Sequence, residues 1–153
     1  MTASFTRWFV STPERWSGPL QPLLLLAMRV WVSWQFLKSG NLKISDWDTT
    51  LFLFREEYRT PLLSAETAAV LGTAGELAFP ALLIVGLAGR LSAIGLSAVN
   101  ALAVVSYAHV LLKPGFEAAL GQHYLWGMML AVLVIMGPGR LSLDGWLQQR
   151  HSG

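Results

Sequence analysis

The chain has 153 residues, of which 54% are hydrophobic and 13% charged, and its formal net charge is +2. A water-soluble domain carries roughly twice that charged fraction, and a chain without cysteine has no disulfide, no dithiol redox couple and no Cys-ligated metal or cluster. Its basic residues gather at the ends of apolar blocks, which favours anionic lipid headgroups over nucleic acid as their partners.

In chain order, the opening stretch MTASFTRWFVSTPERWSGP is too broken by charge to read as a signal peptide. Trp8, Phe9 and Trp16 predict an interfacial tail over residues 1–19, lying in the headgroup layer. Four apolar blocks follow, at about 20–37, 67–87, 91–112 and 118–137. Each approaches the ~20 residues that a helix needs to cross ~30 Å of hydrocarbon. They are apolar on nearly every side, unlike the one-striped helices of soluble proteins. The expected fold is an all-α membrane protein: one domain over residues 1–153, an antiparallel bundle of four transmembrane helices.

Between spans one and two, Asp46 is placed to cap a helix over residues 46–61. Trp47, Leu51, Phe52, Phe54 and Tyr58 set against Arg55, Glu56, Glu57 and Arg59 predict that it lies flat in the interface until Pro61 stops it. The plainest role for such a segment is a lid over the bundle; the sharper one is a docking surface. Ala88-Gly89-Arg90 makes a tight hairpin between spans two and three, and Lys113-Pro114-Gly115 and Gly137-Pro138-Gly139 end spans three and four. Four spans put both tails on one side, here assigned to the cytoplasm, although lysine and arginine are evenly divided between the two sides and do not decide it.

Polar residues within the spans carry the functional signal. Arg29, Glu76 and Asn100 each fall tenth in their blocks as drawn, near mid-bilayer. A charge there costs about 2.5–3.5 kcal/mol on insertion scales. The expected arrangement turns Arg29 and Glu76 towards each other, with the Asn100 amide completing their hydrogen bonds. Such a pair can be the core of a working site or can merely fix helix register. Pro80, on the face of Glu76, deprives the Glu76 carbonyl of its helical donor. A second set lies nearer the loop side: Lys38, His109 and His123, with Tyr107, Tyr124 and Trp126 at similar depth. Two histidines are too few for a usual zinc or copper site. Together with Lys38 and the aromatic rings they suit the polar head of a quinone whose tail slips between helices. Trp31, Trp34 and Trp126 read first as packing residues.

This arrangement resembles the DoxX family of small four-helix bacterial membrane proteins. The residues that carry the likeness are LLLLAMRV, FLKSGNLK, the GTAGELAFPALLIVGLAGRLSA run around Glu76, YAHVLLKPGF, and GPGRLSLDGWL after span four. One departure is His123, where the pattern leads one to expect an acid. The resemblance implies a bacterial inner-membrane location and a role beside redox or stress proteins. Relatives include the membrane subunit of a thiosulfate:quinone oxidoreductase, membrane partners of superoxide dismutase and sulfurtransferase, and components of copper-responsive peptide-maturation systems. The leading expectation is a redox accessory subunit that binds quinone and passes electrons from a protein partner, with Arg29 and Glu76 tuning the site. Lys38, Asn100, His109, His123 and Trp126 would surround the cofactor. No flavin, haem or metal is expected in the chain itself. The alternative is a non-catalytic scaffold in oxidative- or copper-stress systems. Gly72, Gly75, Gly86 and Gly95 permit close helix contact, including between copies in a homo-oligomer.

Overall fold

A computed structural model describes residues 2–151, with side chains from Gly18 onward. Trp8, Phe9 and Trp16, which carry the expected interfacial tail, lie outside the residues whose side chains are described. The described chain is helical throughout: α1 (Thr2–Ser45), α2 (Trp47–Glu56), α3 (Ala65–Val85), α4 (Gly89–Ser106), α5 (Ala108–Leu111), α6 (Glu117–Met136) and α7 (Leu143–His151). Four stretches are long and apolar enough to span a membrane: Gly18–Ser45 of α1, and α3, α4 and α6. The short α2 stands between the first two, where the charge and aromatic pattern predicts a helix over 46–61, but it ends at Glu56, before Pro61 is reached.

The observed spans differ from the apolar blocks most at α1, which continues past Leu37 to Ser45. Gly40 does not end it. A Cβ at that position would lie 2.8 Å from Leu77 Cδ2 and 3.2 Å from Glu76 Cβ, so the glycine admits α3 at close range. Along α1 the buried positions Leu25, Arg29, Val32, Ser33, Phe36 and Gly40 recur every three to four residues, a stripe that carries on to Lys43. Span three is shorter than its block, because α4 ends at Ser106 and Tyr107 joins it to the single turn of α5.

α3 packs against α1, α4 and α2, and α4 packs against α6. Bare backbone sets these distances: a Cβ on Gly95 would fall 2.4 Å from the Phe79 ring, and one on Gly75 would fall 2.7 Å from Val99. Leu25, Val32, Phe36, Leu83, Ala93, Leu96, Leu130 and Leu133 form the shared core. Within α6 only Leu130 and Leu133 are buried, so most of that helix faces outward.

At the tail-bearing end, Gly86 caps α3 in the left-handed region, with φ of 75°. Its missing side chain also makes room, since a Cβ would lie 2.4 Å from Ser142 Cβ and 2.8 Å from Arg29 Nη1. Gly115 has φ of 94° but open space around it. Gly86→Ala is therefore expected to destabilise the bundle by roughly 2 kcal/mol or more, and Gly115→Ala by about 1 kcal/mol of backbone strain alone. Thermal denaturation in one detergent compares them; equal losses would show that the Ser142 and Arg29 contacts contribute nothing.

Candidate functional site

Arg29 and Glu76 do not meet. Because α1 and α3 run antiparallel with Gly40 opposite Glu76, Arg29 is carried to the far end of α3, beside Gly86. Positions 29 and 43 are separated by about 21 Å along a helix rising about 1.5 Å per residue. The expected pair rested on counting span one from 20 to 37; the extension to Ser45 shifts the helix's register against its neighbour.

Arg29 is 1% exposed, and its partners are carbonyls. Nη1 donates to Pro138 O at 2.5 Å, and Nη2 donates to Leu141 O at 2.7 Å and, at 3.4 Å, to Ile84 O. These oxygens belong to the last turn of α3 and the connection after α6, where helices leave carbonyls without donors and carry partial negative charge. The GPGRLSLD segment wraps under the guanidinium. Ser142 Oγ donates to Gly139 O and accepts from Gly145 N at 3.0 Å. Asp144 then crosses to the α3–α4 turn, accepting from Ala88 N at 2.9 Å and Gly89 N at 2.7 Å, while its own amide donates to Gly86 O at 3.0 Å. Arg29 thus ties α1 to the ends of α3 and α6. It belongs to a structural clasp, not to the site expected around Glu76.

Glu76 pairs with Lys43. The ammonium donates to Oε1 at 2.7 Å and Oε2 at 2.6 Å, and to Ser39 Oγ at 2.9 Å. The side chains of Lys43 and Glu76 are 17% and 9% exposed. The ion pair forms part of the wall of a cavity of about 320 Å³ at the loop-bearing end, bounded by α1, α2, α3, α4, the start of α6 and the segment after α2. Its remaining lining is mostly apolar (Phe54, Ala68, Val99, Leu111) with the polar groups of Tyr58, Thr60, Ser106, Tyr107 and His123. Leu63, Leu71 and Leu102 also line it and are exposed on the outer surface, so the cavity reaches the apolar belt beside α3 and α4.

The cover is held by hydrogen bonds. Asp46 accepts from Thr49 N at 3.0 Å and caps α2, and Thr50 Oγ1 donates to Lys43 O at 3.0 Å, folding α2 back immediately after α1. Hydrogen bonds from Thr49 hold the Asp46 carboxyl below its ordinary pKa. Beyond α2, Arg59 N donates to Ser106 O at 2.9 Å and Ser106 Oγ to Thr60 Oγ1 at 3.1 Å. The rings of Phe54, Tyr58, Tyr107 and His109 follow one another edge to face, at 4.8, 5.3 and 5.6 Å between centroids. Burial, then Tyr107 and the charges of Glu76 and Glu57, raise the Tyr58 pKa, so its hydroxyl stays a neutral donor.

Asn100 does not complete an Arg29–Glu76 pair; it holds His123, which lines the cavity. Asn100 Nδ2 donates to His123 O at 3.0 Å, which leaves Oδ1 facing His123 Nδ1 at 2.8 Å. An amide oxygen only accepts, so Nδ1 carries the proton and Nε2 is left as an acceptor. Trp126 stacks behind His123 at 4.9 Å and against Phe36 at 5.5 Å, as packing. His109 stacks on Tyr107 and does not line the cavity, while Lys38 points off the buried stripe and is exposed. Lys43 is the cation that sequence reasoning missed. Its signal was the inward stripe on α1, which continues beyond the point where the apolar run stops. Among the described residues no three His, Asp or Glu side chains gather in a metal-binding group.

A four-span helical bundle with an ion pair walled into an apolar cavity defines a small multi-pass membrane protein with an internal polar site. The DoxX family model matches residues 24–109, more than half of the chain and all of the α1–α3–α4 frame around Glu76, and the chain belongs to the DoxX family. Comparison with curated proteins and with solved structures gives no significant match.

Proposed function

We propose that the chain is a bacterial inner-membrane redox accessory that binds a quinone in the cavity beside Lys43 and Glu76, with both termini in the cytoplasm. The observation that carries this reading is the Lys43–Glu76 pair in the wall of a largely apolar cavity that reaches the apolar belt. The donor set fits a quinone head. The neutral Tyr58 hydroxyl supplies a donor for a ring carbonyl, Lys43 supplies positive charge beside it while its three N–H groups stay on Glu76 and Ser39, and His123, with Nε2 as acceptor, supplies a place for a proton. The exposed leucines supply a lateral route for an isoprenoid tail. A bound quinone would supply two-electron redox chemistry, and the electrons would come from a protein partner. Asn100 fixes the ring of His123, Glu76 balances and positions the ammonium, and α2 excludes water from above.

Adding a short-chain ubiquinone analogue to purified protein is expected to raise its melting temperature in a saturable way, and gentle extraction is expected to leave quinone bound. His123→Leu should abolish the shift, read against the variant's own apo melting temperature, which falls because Asn100 Oδ1 loses its donor. Absence of bound quinone together with no thermal response would overturn the reading. It would favour the second one, a scaffold for stress-response partners, which the outward-facing surface of α6 supports.

A further inference from the structure

A second concavity, of about 750 Å³, lies at the opposite end of the bundle, between residues 18–25 of α1, the start of α4, the α6–α7 connection and α7. Arg90 and Arg140 line it, with Gln21 among their polar neighbours and Pro22, Leu91 and Met136 on its apolar flank. Both arginines are exposed, and neither makes a salt bridge among the described residues. Arg90 Nη2 makes one long contact to Ile135 O at 3.3 Å. Asp144, the acid in the wall, already spends its two oxygens on the Ala88 and Gly89 amides. Buried Arg29 lies just beneath, bonded to Pro138 and Leu141 carbonyls of the same connection. Among the described residues that line or underlie the groove, the guanidiniums of Arg29, Arg90 and Arg140 stand against the one carboxylate of Asp144, which is engaged, so the groove carries a positive field. The site also sits where the span α4 begins and the span α6 ends.

We propose that this groove binds the phosphate anion of an acidic lipid headgroup, with Arg90 and Arg140 as its ligands and the Leu91–Met136 flank receiving the adjoining acyl chains. Guanidiniums match phosphate oxygens in forked pairs, and an apolar flank beside them suits a molecule that carries phosphate and hydrocarbon together. This site is separate from the cavity at Glu76 and stands whether or not that cavity takes quinone.

Delipidated full-length protein in neutral detergent is titrated with phosphatidylglycerol, with phosphatidylcholine or with inorganic phosphate, and followed by melting temperature and by native mass spectrometry. Phosphatidylglycerol is expected to raise the melting temperature saturably and to persist as a bound adduct, while phosphatidylcholine and inorganic phosphate have little effect. R140Q should weaken phosphatidylglycerol binding about tenfold or more, the loss of one charge-assisted pair, and R90Q/R140Q should remove it. Since the Arg140 side chain makes no hydrogen bond among the described residues, R140Q alone decides the question if the double variant does not fold. Equal responses to the two lipids, a full response to inorganic phosphate alone, or an R140Q response equal to the parent's would each overturn the proposal.

Discussion

Arg29→Met is expected to lower the unfolding free energy of the bundle by about 3–5 kcal/mol, measured in mixed micelles of mild and denaturing detergent. The change strips the donors from two well-bonded carbonyls, Pro138 and Leu141, and from the longer contact at Ile84. Each carbonyl left buried without a partner costs about 1–3 kcal/mol, more where the lost donor was charged. Methionine fills the volume, so the loss is chiefly polar. Arg29→Lys is expected to fall between the two. One ammonium carries the charge but cannot span carbonyls that a planar fork reaches on two sides. A methionine variant within about 1 kcal/mol of the parent would mean that the clasp does not hold the helix ends.

Lys43→Met should cost about 3 kcal/mol and Glu76→Gln somewhat less, yet the double variant should recover at least half of the summed loss. Removing one member of a buried ion pair strands the other, whereas removing both relieves the desolvation that the pair had to offset. Water does not rescue the lone carboxylate, because Glu76 is only 7% exposed. The double-mutant cycle, read by the same denaturation, yields the coupling energy directly, and additive losses would show that the two charges act independently. The double variant has a second use. If it folds but gives no thermal response to the ubiquinone analogue, the pair serves binding as well as architecture.

The four spans, a short helix between the first two and the family could be read from block lengths, from turn residues and from motifs such as GPGRLSLD, because hydrocarbon imposes length and composition directly. The partner of each buried charge could not. Depth was inferred by counting from the edges of apolar runs, and α1 outlasts its run by two turns since Gly40 and Lys43 belong to its packed face. The sequence marks Asn100 and His123 as candidates, but their mutual bond depends on the α4–α6 register, which no residue pattern states. Arg29 was judged by the carboxylate nearest in count, whereas the acceptors it found are main-chain oxygens, which any sequence supplies and no side-chain pattern reveals.

The clasp around Arg29 also orders events during synthesis. Its strongest acceptors, Pro138 and Leu141, are translated more than a hundred residues after the arginine itself. Until they emerge, the first span carries an unsatisfied cation, and the insertion machinery or nearby lipid phosphates must accommodate it. The connection that follows α6 therefore completes the seating of α1, long after α1 itself has been made.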